Sequence, residues 1–200
     1  MEINETLEYY NENARHFTEE TVNVDFSELQ NKFLNKLQEN ARILDFGCGA
    51  GRDTKYFLNK GFVVDAIDGS AKLCKMASEY TGIPVQNVMF QDLADMEQYD
   101  AIWACASILH LTYHDLITVM KKMVTALKEN GVIYTSFKYG NFEGVRNGRY
   151  FTDMTEEKWK KILLEVGAVT VEEMWITSDV RQGRGEEKWM NLILRKSDIN

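Results

Sequence analysis

The sequence predicts an α/β fold, a mostly parallel sheet with helices on both faces, preceded by a helical segment. Three observations carry this. After Ala41, short apolar runs alternate with stretches of helical period, the pattern of a parallel sheet covered on both sides. The first run, Ile43-Leu44-Asp45-Phe46, leads at once into Gly47-Cys48-Gly49-Ala50-Gly51, three glycines at alternate positions between a strand and a helix. Glycine tolerates φ > 0 and lets a ligand lie against bare backbone, so this is where a doubly wound sheet accepts a nucleotide-like molecule. Finally, 200 residues with 44% hydrophobic content fill one core of ordinary size.

The elements follow in order. From residue 3 to 38 two apolar stripes stand at helical spacing, Leu7, Tyr10, Ala14 and Phe17, then Leu29, Phe33, Leu34 and Leu37, with a loop over Thr21–Asp25. Residues 1–40 are therefore expected to form a helical lid on a core spanning 41–200. Strands are predicted over 42–46, 62–67, 85–90, 101–105 and 131–138. Helices fill the intervals: 52–60, closed by Gly61; 70–80, capped by Ser70; and 113–128, started by Thr112 and Asp115 and ended at Asn130-Gly131. The tail reads as a helix over 155–166 and strands over 169–176 and 188–195, which could pair as an antiparallel hairpin.

Composition narrows the function. A formal charge of −8 and a pI near 5.0 disfavour a broad phosphate-binding surface and favour small molecules. Lys138, Arg146, Arg149, Arg181 and Arg184 could still gather into a local basic patch. Cys48, Cys74 and Cys105 are odd in number and lack C-x-x-C spacing, so they read as reduced thiols in a cytoplasmic protein, with no metal site expected. Residues 1–10 are acidic and mixed, and no apolar run approaches a membrane span; neither export nor a membrane partner is expected.

The glycine spacing separates two cofactor classes. A dinucleotide fingerprint needs G-x-G-x-x-G, and this chain has Arg52 where the third small residue belongs. Asp45 would repel a pyrophosphate and attract a cationic ligand. The pattern D-x-G-x-G-x-G resembles the first motif of class I S-adenosylmethionine-dependent methyltransferases, and the resemblance extends over nearly the whole chain. It implies a Rossmann-like seven-stranded sheet whose last two strands form an antiparallel hairpin, and S-adenosylmethionine as cofactor, with S-adenosylhomocysteine as product. Asp45 and Gly47, Cys48, Gly49, Ala50 and Gly51 would form the cofactor loop. Asp68, followed by Gly69 and Ser70, lies about twenty residues beyond that loop, where a doubly wound fold presents a carboxylate to a ribose. By the resemblance, Asp92 takes the adenine amino group, the amide of Leu93 meets the ring, and Ala104 and Cys105 lie beside the sulfonium. A lid tyrosine, Tyr10, is expected near the methionine end, where an aromatic face attracts the positive sulfur.

Methyl transfer needs an aligned nucleophile, and a base only where that nucleophile holds its proton. His110 and Tyr113, after the fourth strand, are the candidate catalytic groups. Tyr139, Arg146 and Arg149, in a long segment after the fifth strand, are the candidate acceptor-binding groups, because arginine can fork onto a carboxylate or phosphate. Ala104-Cys105-Ala106-Ser107 stands where DNA amino-methyltransferases carry N/D-P-P-Y/F, and no Pro-Cys nucleophile is present, so DNA is not the expected partner. The short core and helical lid look most like small-molecule methyltransferases of the group that includes tellurite-resistance methyltransferases. The expected acceptor is a small molecule, anionic and thiol-bearing compounds being among the candidates. Methylation of RNA or protein, and a non-catalytic module that binds S-adenosylmethionine, are the alternatives. The sequence leaves oligomeric state undetermined.

Overall fold

A computed structural model of the chain describes residues 2–181 and 183–197. The elements, in order, are α1 (Glu2–Glu12), α2 (Ala14–Thr21), α3 (Ser27–Leu34), β1 (Arg42–Phe46), α4 (Arg52–Asn59), β2 (Val63–Asp68), α5 (Ala71–Thr81), β3 (Val85–Asn87), β4 (Tyr99–Ala104) and α6 (Tyr113–Ala126). They continue with β5 (Leu127–Lys138), β6 (Glu143–Arg146), β7 (Arg149–Thr152), α7 (Glu156–Val166), β8 (Val169–Ser178) and β9 (Lys188–Lys196). Seven strands form one sheet in the order β3-β2-β1-β4-β5-β9-β8, parallel except for β9, which runs antiparallel to both β5 and β8. The order reverses between β1 and β4, so the loops after those strands open a crevice at their carboxyl ends.

Alternate residues of the central strands bury on opposite faces. Ile43, Trp103 and Tyr134 pack with Phe33 of α3 and Phe57 of α4, the Trp103 and Tyr134 rings stacking at 4.0 Å. Leu44, Ile102 and Ile133 face the other way, against Leu116 and Met120 of α6 and Trp159 of α7. Continuous apolar strands were the sequence signal for this two-sided burial. The caps behave as their residue types require: Ser70 accepts from the amide of Leu73, Thr112 from Asp115 and Thr155 from Lys158.

Three expectations need correction. β3 stops at Asn87, and residues 90–92 form a 3-10 turn instead of completing a strand to Phe90. β5 begins at Leu127, because that residue already pairs with Tyr99 before an irregularity brings Val132 opposite Ala101. The segment after β5 is not an irregular crossover. It contains the hairpin β6–β7, turning on Asn147 (φ 53°) and Gly148 (φ 74°). Asn-Gly with both φ values positive is the two-residue turn whose twist matches paired strands. The lid also breaks once more than expected, at Asn13 between α1 and α2. Among the described residues no helix is long and apolar enough to cross a membrane.

Candidate functional site

The loop after β1 is shaped by its three glycines, each for a different reason. All have positive φ (85°, 55° and 85° at Gly47, Gly49 and Gly51). A Cβ on Gly47 would stand 2.5 Å from Cβ of Ser107 and 2.9 Å from the Phe90 ring. On Gly49 it would meet the lid residue Phe17 at 3.0 Å, and on Gly51 it would meet Thr81 of α5 at 2.7 Å. The first glycine thus clears the crevice floor, the second lets the lid descend, and the third lets α4 pack on α5.

Asp68 ends β2 beside this loop. Its Oδ2 accepts from the amide of Gly49 (2.9 Å) and its Oδ1 from the amide of Ser70 (2.8 Å). Burial raises its carboxyl above the usual range, and these two amides oppose the rise. No lysine or arginine pairs with it among the described residues. A carboxylate fixed by backbone donors keeps further acceptor capacity on each oxygen, enough for the two hydroxyls of a diol.

Asp45 differs from expectation. It is buried, receives the Thr54 hydroxyl at 2.5 Å and does not face the crevice. Burial, reinforced by the neighbouring Asp53 charge, pushes its carboxyl up to about 8. It is therefore largely neutral at pH 7 and supports α4 from behind rather than offering a charge to a ligand. The charged acid on the crevice wall here is Asp53, which the sequence reading passed over. Although burial opposes it, the Arg52 guanidinium, Trp103 and Gln30 hold its carboxyl below the usual range. Gln30 donates at 2.6 Å, Arg52 at 2.8 Å and Trp103 at 2.9 Å, tying lid helix α3 to β4 through one carboxylate. The Arg52 guanidinium covers the Phe26 ring at 3.7 Å.

A cavity of about 580 Å³ occupies the crevice beneath the lid. Gly47, Cys48, Gly49, Ala50, Asp68, Gly69 and the residues 89–91 line one part of it. Cys105, Ser107, Tyr134, Ser136 and Asn191 line another, with Asp179, Arg181, Arg184 and Glu187. Its volume lies within the roughly 300–1,000 Å³ usual for small-molecule sites. The Ser107 hydroxyl is buried in this wall with no hydrogen-bond partner. Burial pushes the Cys105 thiol up to about 12, so it is inert as a nucleophile at neutral pH.

Several expected site residues lie off this cavity. Asp92 is exposed, because the 3-10 turn rotates it away and leaves Met89, Phe90 and Gln91 on the rim, while Leu93 is buried in the core. Gly51, Ser70 and Ala104 serve the framework behind the wall. Tyr113 starts α6 outside the cavity, its amide donating to Glu143. Tyr139 is exposed, with its hydroxyl donating to Glu156. Neither has the position expected of a catalytic or acceptor-binding group. Arg146 reaches the cavity but is committed to Asp153 at 2.8 and 3.2 Å.

Tyr10 and His110 do come together. The Tyr10 hydroxyl lies 2.8 Å from His110 Nε2, and His110 Nδ1 lies 2.6 Å from the Tyr150 carbonyl oxygen. A carbonyl only accepts, so Nδ1 carries the proton and Nε2 accepts from Tyr10. Burial lowers the His110 pKa to about 4, in keeping with a neutral ring. Above them the Arg149 guanidinium stacks over Tyr9 at 4.6 Å and Phe151 at 5.3 Å, with one Nη 3.5 Å from the Tyr10 hydroxyl. The β6–β7 turn places this arginine there.

A family profile described as a methyltransferase domain matches residues 43–131, the stretch that carries the glycine loop, Asp68 and His110. Residues 43–131 thus resemble a methyltransferase domain. YqeM of Bacillus subtilis (strain 168), a protein with an inferred methyltransferase name, is 32% identical over 114 residues, 51% of this chain and 46% of YqeM. A ubiquinone biosynthesis O-methyltransferase of Rhodopseudomonas palustris is 30% identical over 100 residues, 48% of this chain and 39% of that protein. The chain thus spans less than half the length of these two relatives. Among solved structures, the 1,6-didemethyltoxoflavin-N1-methyltransferase of Burkholderia thailandensis superposes with a TM-score of 0.77 at 19% identity. That match covers 98% of this chain and 87% of that one. The bacterial enzyme was crystallised with 1,6-didemethyltoxoflavin and S-adenosylhomocysteine.

The residues of this domain fit S-adenosylmethionine. The Gly47 position, which a Cβ would fill, and the orphaned Ser107 hydroxyl beside it make a polar cradle at the crevice floor. Asp68 has acceptor capacity for a ribose, and the crevice is roomy enough for a nucleoside and a second small molecule.

Proposed function

We propose that this protein transfers the methyl group of S-adenosylmethionine to a small-molecule acceptor. The observation that carries the reading is Asp68, held by the amides of Gly49 and Ser70 opposite a glycine cradle, with no cation to neutralise it. The cofactor supplies a methyl carbon activated by positive sulfur, so the protein has mainly to align the acceptor and exclude water. In this reading Asp68 accepts from the ribose hydroxyls and Met89, Phe90 and Gln91 border the adenine. The backbone of Gly47–Ala50 follows the methionine portion, and Cys105 and Ser107 line the reacting end. Tyr10 and Phe17, whose rings meet edge to face at 5.2 Å, roof it with aromatic surface. His110 orients Tyr10 through the Nε2 contact.

A small acceptor is favoured by the charge arrangement. Lys138 pairs with Glu187, Arg146 with Asp153 and Arg181 with Asp179, so three of the five cations that could have formed a basic docking patch for RNA are neutralised internally. The Burkholderia thailandensis enzyme of like fold, crystallised with 1,6-didemethyltoxoflavin, supports this reading.

The test is calorimetric titration with S-adenosylmethionine, S-adenosylhomocysteine and NAD, followed by incubation with methyl-labelled S-adenosylmethionine and a fractionated metabolite extract. Binding of the first two only, with label in a low-mass product, is the expected result. Label in RNA or protein would replace the acceptor class, and binding of NAD alone would overturn the reading.

A further inference from the structure

Of the cationic side chains on the cavity wall, four are committed to carboxylates: Arg52 to Asp53, Lys138 to Glu187, Arg146 to Asp153 and Arg181 to Asp179. Arg184, in the β8–β9 turn, also lines the cavity, but Arg149 is distinguished by its fixed place beneath the lid. Among the described residues no acid pairs with Arg149, its one polar contact is the long 3.5 Å approach to the Tyr10 hydroxyl through Nη1, and its Nε is buried without an acceptor. An N–H withdrawn from water and left unpaired carries the full cost of its desolvation, which a fold does not bear without reason. The guanidinium is also held in place before any ligand arrives. Tyr9 lies 4.6 Å from it, Phe151 5.3 Å and Tyr10 5.8 Å, and Tyr10 is itself fixed by His110. Aromatic contact fixes the plane of an arginine while leaving its N–H edge to donate.

We propose that Arg149 is the anchor of the methyl acceptor and that the acceptor carries a carboxylate. This rests on the methyltransferase reading above. The two Nη groups of one guanidinium form a flat two-pronged donor matched to the two oxygens of a carboxylate. A phosphate is the poorer match at this position: at pH 7 it brings about two negative charges and three acceptor oxygens, whereas Arg149 is a single cation and the phenol beside it already donates to histidine. The carboxylate would sit against Tyr9 and Phe151, next to the Tyr10–His110 pair, which places the rest of a compact acceptor in the part of the cavity lined by Cys105 and Ser107. The methionyl carboxylate of the cofactor has the same chemistry, so the experiment has to separate the two sources.

Benzoate and its uncharged isostere benzamide are the probes, titrated calorimetrically into the wild type, Arg149→Gln and Arg149→Lys at saturating S-adenosylhomocysteine. S-adenosylhomocysteine is titrated separately into each protein. The wild type should prefer benzoate over benzamide by at least about tenfold, the value of one charge-assisted fork. Arg149→Gln should lose that preference and keep its affinity for S-adenosylhomocysteine within about twofold. Arg149→Lys, which keeps the charge without the fork, should retain part of the preference and carries the test if the Gln variant does not fold. No preference in the wild type, or the same preference in the variants, overturns the assignment. A tenfold loss of S-adenosylhomocysteine affinity in Arg149→Gln also overturns it, because the arginine would then hold the cofactor's carboxylate. Failure of the wild type to bind S-adenosylhomocysteine sinks the methyltransferase reading and this assignment with it, whereas a failure confined to the benzoate arm sinks only the role of Arg149.

Discussion

Replacing Asp68 by Ala tests the cofactor site most directly. The carboxylate now accepts two backbone N–H groups, Gly49 at 2.9 Å and Ser70 at 2.8 Å, and in the proposed complex two ribose hydroxyls as well. Hydrogen bonds to a charged acceptor contribute about 1.5–3 kcal/mol. The ribose bonds act through one charge, so their joint loss is expected at roughly 1.5–3 kcal/mol, a 10- to 150-fold weaker Kd for S-adenosylmethionine. The apo protein loses less. Its two amides are freed beside a crevice that water can enter, and removing a carboxylate that burial already penalises returns part of the cost. A stability loss of about 1–2 kcal/mol is expected on those grounds. Asp68→Asn separates the two effects: the amide keeps one acceptor for the backbone but turns its NH2 toward the other N–H. It should bind the cofactor at least tenfold more weakly while unfolding in urea near the wild-type midpoint. The assay is calorimetric titration beside urea denaturation. Unchanged affinity in a folded Asp68→Ala protein would refute the placement of the ribose.

Three further perturbations follow from the geometry. His110 is neutral when folded, with its pKa lowered from 6.5 to about 4, so the unfolded chain takes up a proton first as the pH falls. Its contribution is therefore unaffected near pH 7 and turns destabilising between about 6.5 and 4, reaching roughly 2 kcal/mol at pH 4 after allowance for the face the ring keeps on the cavity. Urea midpoints of wild type and His110→Gln should converge over that range, and parallel curves would contradict the buried neutral ring. Gly47→Ala places a Cβ 2.5 Å from that of Ser107 at a φ of 85°; a loss of about 2–4 kcal/mol is expected, and cofactor binding should vanish even where the variant still folds. Near-normal binding would show that the loop is more tolerant than this packing allows. Asp53→Asn leaves the Arg52 charge without its carboxylate and should cost about 3 kcal/mol, whereas the double variant Arg52→Met with Asp53→Asn should recover much of the loss. Additive losses in urea denaturation would mean that the two side chains act separately.

How far the sequence could be read varied with the range of the interaction. The glycine loop, the strand–helix alternation and the caps at Ser70, Thr112 and Thr155 were legible because they are local. Backbone conformations and periodic burial are written within a few residues of one another. Asp68 was legible for a related reason: a doubly wound sheet holds the acid after the second strand at a fixed distance from the glycine loop. The β6–β7 hairpin was local too, and its Asn147-Gly148 signal was present but overlooked beside the arginines that flank it.

The chain itself, then, determined the fold class, the glycine loop and the acid beside it. Only the tertiary structure decided which of the similar candidates reach the crevice and in what charge state. Arg146 and Arg149 are three residues apart and look alike in sequence, yet among the described residues one meets Asp153 and the other meets aromatic faces and a distant phenol. Asp45 and Asp53 both flank the loop, yet three donors keep one charged while burial keeps the other largely neutral. His110 acquires its tautomer from a carbonyl forty residues away. Charge state, pairing and direction depend on which side chains the fold brings within a few ångströms, and pairs far apart in the chain leave no periodic trace in it.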